Sequence, residues 1–510
     1  MSFYQPNTIP RWGILQLAVI GIYFCISGCS LIYKVDDECS IDEDCATMSP
    51  PNMVCSHHLC VSSDDGDDST TGASNTDTGI GTETDTAGTD QPKRTGLDLL
   101  AGPCNRIDGM TDVNEEIPED AIIIGSILPI TGELSIAGEH FDQATLLAVE
   151  EINRAGGILG RPLIKVACDS GTSPETAIQA ANHLRDIGVQ AVLGPFSSEI
   201  VLSVFNATFR DAGILLVSAG ANAPIISTVS QEGLIWSTSL PASREAAVMA
   251  EYVQHSNLSK VAVIHRGDTW GDSMFNAFFT TYCENTAIDC TDEQSMMVRS
   301  YATDDLTTSL SSVVVELADW QPEIVVHFTY VEDALTFMSI NGAVGAPVQR
   351  ILWNSTAASD LIFPLLDEQL HPTLCQSESV VQQTPSGIIY SSFLTRYRAR
   401  FDGSDPIPYT ASFYDAAYIL AYGISAAVSN ETANPTGAAV SAAMHRLSSG
   451  TSIRVGAEDW NVGVMALQAE DAATIDFTGA SGEVDFDESF FAVHFTRPIY
   501  AISVCRSEKG

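Results

Sequence analysis

The sequence predicts an α/β protein whose bulk is two parallel-sheet lobes. Three observations predict it. From about Glu119 onward, β-rich apolar runs alternate with helical segments, and that alternation implies parallel sheets with helices on both faces. The strand–helix units are too many for one sheet of comfortable size, so two lobes are expected. Hydrophobic residues make up 45% of the 510, which is enough for a large core. At roughly 150 residues per domain the length allows two or three domains.

Arg11 precedes an apolar run from Trp12 to Ile26, and Ile26-Ser27-Gly28-Cys29 follows. A basic start, an apolar stretch and small residues before a Cys read as a cleaved secretory signal over 1–28. The tetrapeptide resembles a bacterial lipobox, which implies acylation of Cys29 and a lipid-anchored mature protein outside the cytoplasm. The alternative is an uncleaved anchor, but a run of about 15 residues falls short of the ~20 that span a bilayer. Ser30 after that Cys points to outer-membrane sorting under the same resemblance, against the wider expectation of a periplasmic or cell-surface site. The chain has 12 Cys. Setting aside Cys25 in the signal and Cys29 for the lipid leaves an even number, which in an exported chain points to disulfides.

Residues 29–61 hold the lipidated N-terminus and a small Cys-rich module with Cys39, Cys45, Cys55 and Cys60. Four Cys allow three pairings, which sequence does not choose between. His57 and His58 raise zinc as an alternative, but the Cys-x5-Cys-x9-Cys-x4-Cys spacing lacks paired C-x2-C knuckles. Disulfides are therefore expected, and no metal. Residues 62–118 are a linker and lead-in, and its 61–95 stretch is almost wholly Asp, Thr, Gly and Ser. Such a chain cannot bury enough apolar surface to offset its ordering entropy. It is expected to be a flexible tether with a reach of roughly 30–35 Å.

The α/β part then unfolds in order. Ala121–Leu128 is a strand through Ile122, Ile123 and Ile124. Phe141–Ala155 has helical periodicity and stops at Gly156-Gly157, which suits a C-cap with positive φ. Leu163–Ala167 is a strand, and Pro174–Ile187 a helix with Pro at its start. Strands Gln190–Leu193 and Ile214–Val217 follow. The rhythm resumes with helix Ser243–His255, strand Val261–His265 and a helix near Ser273–Cys283. It continues through helix Leu306–Leu317, strand Ile324–Phe328, helix Val331–Asn341 and strand Ile351–Trp353. Cys283 and Cys290 are close enough to staple one loop. The pairing of Cys104, Cys168, Cys375 and Cys505 stays open.

The net charge is −42. Nucleic acid as a partner is excluded by it, because phosphate binding needs a basic face. An anionic membrane is likewise no docking surface beyond the lipid. Acidity of this kind favours solubility and says little about fold.

Several segments resemble the type 1 periplasmic binding proteins, in particular the branched-chain amino-acid-binding branch. They are Ile124-Gly125-Ser126-Ile127-Leu128-Pro129-Ile130-Thr131-Gly132; Glu150-Glu151-Ile152-Asn153-Arg154-Ala155-Gly156-Gly157; Val192-Leu193-Gly194-Pro195-Phe196-Ser197-Ser198; and Val217-Ser218-Ala219-Gly220-Ala221-Asn222-Ala223-Pro224. Trp270-Gly271, Ser412-Phe413-Tyr414-Asp415 and Phe477-Thr478-Gly479-Ala480-Ser481-Gly482-Glu483 follow in order. Each is weak alone; their order over about 390 residues carries the resemblance. Residues 1–118 lie outside it. The resemblance implies two Rossmann-like lobes joined by a three-stranded hinge and closing on a small ligand. Lobe one is expected at 119–241 and 354–455, and lobe two at 242–353 and 456–510.

Ligands bind beyond strand C-termini in open α/β sheets, and the Gly/Ser loops here follow expected strands. Gly194–Ser198 offers backbone N–H groups at a helix start, a ready anion site, although Ser197 or Ser198 could serve only as an N-cap. The resemblance implies ligand contact from Ser197 and Ser198, and from Gly220 and Asn222, where Asn replaces the usual Thr. Lobe two would add Trp270 and Tyr330, which as aromatics could equally be core. The family holds the ligand's ammonium with an acid after the last lobe-two strand. Here Ser355 stands in that place. A buried ammonium without a carboxylate is costly, so Asp268, Glu199 or Asp333 substitutes, or the ligand is not a simple α-amino acid.

No HExxH, GxSxG or Walker A pattern occurs, so the protein is expected not to be an enzyme and to need no cofactor. The function expected is capture of an amino acid or related compound by hinge closure and its delivery to an ABC transporter permease. The alternative is a ligand-sensing receptor ectodomain without transport.

Overall fold

In the computed structural model the described residues are 53–56, 59–62, 94–230, 232–285, 289–344, 347–357, 362–382, 387–428, 433–469, 473–486 and 499–503. The signal, Cys29, Cys39, Cys45, Cys505 and residues 63–93 of the tether lie outside them. Contacts divide the chain into two units, meeting between Gly88 and Thr89. In the first, β1 (Met53–Ser56) and β2 (Leu59–Ser62) form an antiparallel hairpin that sets Cys55 opposite Cys60.

The second unit holds two six-stranded sheets. The first uses β3 (Cys104–Asp108), β4 (Ile122–Leu128), β5 (Leu163–Asp169), β6 (Ala191–Leu193), β7 (Leu215–Ser218) and β8 (Ile235–Ser237), in the order β3-β5-β4-β6-β7-β8. All neighbours are parallel except β3 and β5. The second uses β9 (Val261–Arg266), β10 (Met296–Tyr301), β11 (Ile324–Phe328), β12 (Ile351–Trp353), β13 (Glu378–Gln382) and β16 (Ile499–Ser503), in the order β10-β9-β11-β12-β13-β16. Here only β13 and β16 run antiparallel. A small parallel pair, β14 (Thr451–Arg454) with β15 (Ile475–Thr478), sits apart. Strands β9 and β11 are buried along their whole length. Helices cover both faces of a parallel sheet, which is why these strands read as unbroken apolar runs.

Every strand and helix expected from Ala121 to Trp353 is present, within a few residues. The lobe boundaries differ. β3 belongs to the first sheet, so that lobe begins before residue 119. β13 belongs to the second sheet, so the chain leaves lobe two after Gln382 and not at 354. The helix Ala457–Ala469 belongs to lobe one, not lobe two. Its Trp460 Nε1 donates to Gly157 O at 3.0 Å and its Asn461 Nδ2 to Ala155 O at 2.9 Å, which ties it to the turn that follows helix Ser135–Arg154. The chain returns to the second sheet only with β16.

Lobe one buries charge as paired networks. Lys165, fully buried on β5, lies 2.8 Å from Asp108 on β3 and 3.4 Å from Asp142. Arg106 pairs with the same two carboxylates, and these cations hold the Asp108 carboxyl below its ordinary range against the opposing effect of burial. Glu151 accepts from Arg396 Nε at 2.8 Å and from the Tyr418 hydroxyl at 2.9 Å, with Tyr414 also bound to it. Removing one partner from such a network leaves a buried charge unpaired, which costs far more than the pair contributes. The Asp415 carboxylate accepts from the backbone N–H groups of Ala480 and Ser481 at 2.7 and 2.6 Å, fixing the Gly479–Gly482 turn.

Disulfides join Cys283 to Cys290, as the spacing predicted, and Cys104 to Cys168 across β3 and β5. Cys375 is disulfide-bonded as well. Among the described residues no helix is long and apolar enough to cross a membrane.

Candidate functional site: the cleft between the lobes

The loops after β4, β6 and β7 in lobe one face the loops after β9, β11 and β12 in lobe two. All six follow the C-terminal ends of parallel strands, where helix starts and unpaired backbone groups collect. On the lobe-one side, Ser218 at the end of β7 donates to Pro195 O at 2.6 Å and accepts from the N–H groups of Gly220 and Ala221. Ser198 Oγ, buried, accepts from Ala223 N–H at 3.2 Å. These bonds lock the two Gly/Ser loops together. Gly220 lies against Phe196, and a side-chain carbon on it would sit 2.1 Å from the Phe196 ring. Only glycine permits that approach.

The expected contact residues therefore divide. Ser197 is the N-cap of helix Ser198–Val204, its Oγ accepting from Ile200 N–H at 3.3 Å. Ser198 and Gly220 shape the loops. Asn222 and Trp270 meet across the cleft: the indole N–H donates to Asn222 Oδ1 at 3.1 Å. Trp270 stacks on Tyr330, with ring centroids 4.8 Å apart. Tyr330 faces Phe196 of lobe one at 6.3 Å. Ser355 is buried, and both its N–H and its hydroxyl donate to Glu245, the latter at 2.9 Å.

Three residues the sequence reading passed over complete this surface. Tyr409 of lobe one adopts the left-handed region, with φ of 71°. Burial pushes its hydroxyl up, while Ser355 and Asn222 beside it act the other way. Glu245, on helix Ala242–His255, is buried, and burial pushes its carboxyl up to about 7 against the opposing hydrogen bonds from Ser355. Glu332 follows Tyr330 at the start of helix Val331–Ala343, and burial likewise pushes it up to about 7. Nothing in its spacing marks Glu245 as different from any other helical Glu. For Glu332 the signal was its place two residues after a cleft aromatic.

The carboxylates expected to replace the missing acid are engaged elsewhere. Arg266 at the end of β9 binds Asp268 at 2.9 Å and pairs with Asp333. Tyr301 donates to Asp333 at 2.8 Å. The same guanidinium sits 4.5 Å above the Tyr330 ring and reaches Glu133 of lobe one at 3.2 Å. Glu199 is exposed on the rim, and partial burial followed by the nearby Asp268 raises it. Asp268 and Asp333 thus neutralise Arg266.

Between the lobes lies a cavity of about 30 Å³, lined by Leu134, Phe141, Phe196, Tyr330, Glu332 and Tyr409 among others. Sites for drug-sized ligands hold ~300–1,000 Å³. Side chains of both lobes fill the cleft, so a solute of that size enters only as the lobes part. Among the described residues no group of three or more His, Cys, Asp or Glu could hold a metal ion.

Two sheets, a cleft between their strand ends and contacts that cross it define a two-lobed α/β binding fold. The pattern of the periplasmic binding protein family matches residues 121–460. A homologue, the Leu/Ile/Val-binding protein homolog 3 of Brucella melitensis, is 31% identical over 158 residues, which is 31% of this chain and 42% of that protein. The alignment thus spans about two-fifths of the relative's length. A branched-chain amino acid transporter substrate binding protein from Streptococcus pneumoniae, solved with isoleucine, superposes with a TM-score of 0.58 at 17% identity, covering 75% of this chain and 96% of that one. An ABC transporter solute binding protein from R. palustris, solved with benzoate, gives a TM-score of 0.58 at 16% identity, covering 76% and 93%. The chain belongs to the periplasmic binding protein family, in its type 1, branched-chain amino-acid-binding-like branch. That family is a class of solute-binding proteins rather than of enzymes.

Proposed function

We propose that this protein is an extracytoplasmic solute-binding lipoprotein. It captures an amino acid or related small compound by lobe closure and delivers it to an ABC importer. The observation that carries this reading is the Trp270–Asn222 hydrogen bond across a cleft built from six strand-end loops. Bonds of that kind exist only when the lobes are closed, so closure is linked to whatever fills the space between them. The relatives support the class of ligand: one is named for Leu, Ile and Val, and one neighbour was solved with isoleucine. Asn222, Trp270, Tyr330 and Tyr409 are proposed to touch the solute, and Ser198 and Gly220 to shape its lobe-one wall. Acylation at Cys29 and the acidic tether would hold the binding unit near a membrane and let it reach a permease.

The experiment is Trp fluorescence and small-angle scattering of the whole chain, with disulfides formed, titrated with amino acids and related metabolites. A solute that quenches or shifts Trp270 emission and shrinks the radius of gyration supports the reading. A complete absence of response across the set refutes it.

A further inference from the structure

Glu332 is the carboxyl that lines the cavity between the lobes. It sits on lobe two, in the first turn of helix Val331–Ala343. The side of the cavity that faces it belongs to lobe one, through Leu134, Phe141, Phe196 and Ile407. Its Oε1 is buried and has no hydrogen-bond partner among the described residues. Tyr330, Tyr409 and Thr356 bring hydroxyls to the same lining, but the Thr356 hydroxyl donates to Thr329 O at 2.8 Å. A carboxylate in such a place loses its water and gains no cation, which favours its neutral form.

The groups around Glu332 act in both directions on its proton. Asp333 on the same helix and Glu133 from lobe one favour the neutral form, while Arg266 from β9 and the backbone N–H of Glu332 favour the charged one. Arg266 is already bound by Asp268, Asp333 and Glu133. Burial is the largest effect and pushes the carboxyl from 4.5 up to about 7. Tyr330 and Tyr409 are the other titratable groups on the lining, and burial raises both hydroxyls. They stay neutral at physiological pH.

Parting of the lobes changes this environment. The lobe-one wall withdraws, water reaches Glu332, and its carboxyl returns toward its ordinary value. The other buried carboxyls nearby keep their partners, because those partners are on lobe two with them. Asp333 keeps Arg266 and Tyr301, and Glu245 keeps Ser355.

We propose that lobe closure takes up one proton from solvent on the Glu332 carboxylate, so that acid favours the closed cleft and alkali the open one. This regulation rests on the reading above in taking the lobes to open and close. A carboxylate oxygen gains the proton as the lobes meet and returns it to water as they part, and no other covalent bond changes. Between 4.5 and about 7 the closed form holds a proton that the open form has released. Its advantage is fully present below the lower value and is lost as pH rises through the upper one. Within that window one proton changes the closure constant by up to about tenfold per pH unit.

Small-angle scattering of the whole chain tests this from pH 4.5 to pH 8.5, with disulfides formed and no solute present. The closure constant is expected to rise roughly tenfold or more from pH 8 to pH 5, with a smaller radius of gyration. Glu332→Gln has no proton to exchange and should stay at the closed end across the range. Glu332→Asp keeps a titrating carboxyl and should keep the slope. Glu245→Gln should follow the unsubstituted protein. The acidic tether adds its own pH response, which is the same in every variant and cancels between them. Parallel profiles for the unsubstituted protein and Glu332→Gln overturn the proposal, and so does a slope lost in Glu332→Asp or in Glu245→Gln. Those results leave the solute-binding reading standing, because no solute takes part. If pH moves the lobes as expected and no compound from a broad metabolite set does, the solute-binding reading fails and the proton link stands.

Discussion

Glu245→Gln is expected to stabilise the protein above pH 7 and to have little effect near pH 4. Glu245 is buried behind Ser355 with no cation beside it, and burial pushes its carboxyl from 4.5 up to about 7. The sign follows from proton counting. Between those two values the folded protein holds a proton that the unfolded chain has released, so stability falls as pH rises through the window. Each pH unit carries ~1.4 kcal/mol. The full interval therefore costs ~3 kcal/mol above pH 7. Gln keeps one oxygen to accept from the Ser355 N–H and an amide N–H that can donate to the Ser355 hydroxyl oxygen, and it carries no charge, so the variant escapes that cost. Urea unfolding of both proteins from pH 4 to pH 9 gives the difference directly, and the contribution of Glu332 cancels in it. Parallel pH profiles for the two proteins would show that Glu245 is ionised without penalty, and the reasoning from burial would be wrong.

Four further outcomes are expected. Trp270→Phe removes the interlobe bond to Asn222, worth ~1 kcal/mol, and should enlarge the radius of gyration in scattering by populating open forms. Arg266→Leu leaves Asp268 and Asp333 without their cation and should cost ~3–5 kcal/mol by urea unfolding. Cys104→Ala with Cys168→Ala opens a loop of sequence separation 64 and should lower stability by ~2–4 kcal/mol. Gly220→Ala places a carbon against the Phe196 ring and should cost ~1–3 kcal/mol through displaced packing.

What the sequence made legible follows from burial. β4, β9 and β11 are buried nearly throughout, and their Ile, Val and Ala runs announced them. β3 gave no such signal, because Cys104-Asn105-Arg106-Ile107-Asp108 is half polar. Its Asp108 is buried only by virtue of Arg106 beside it and of Lys165, and Lys165 on β5 is far from it in sequence. β8 is three residues long, and its Trp236 and Ser237 do not separate from a loop by composition. The lobe boundaries at 354 and 456 were misplaced because helical periodicity does not say which sheet a helix covers. Trp460 and Asn461 decide that for Ala457–Ala469 by hydrogen bonds to Gly157 and Ala155. In the cleft, order along the chain pointed to Asn222, Trp270 and Tyr330, which the structure brings together. Glu245 and Tyr409 stayed hidden, because their importance lies only in what the fold sets beside them.

The contacts that close the cleft are individually weak, and that bears on how a solute could act. Arg266 with Glu133 crosses the lobes, but the Glu133 side chain is 40% exposed, so the pair contributes at most ~1 kcal/mol. The Trp270–Asn222 bond adds ~1 kcal/mol, and the Phe196–Tyr330 ring pair ~1 kcal/mol. These three contacts together stay below the ~5.5 kcal/mol needed to drive a two-state equilibrium from 1:99 to 99:1, and apolar packing of Phe196, Trp270 and Tyr330 adds to them. No single one of these polar or ring contacts locks the lobes together. A solute lodged between the lobes can touch the walls of both only when they come together, so its binding favours closure.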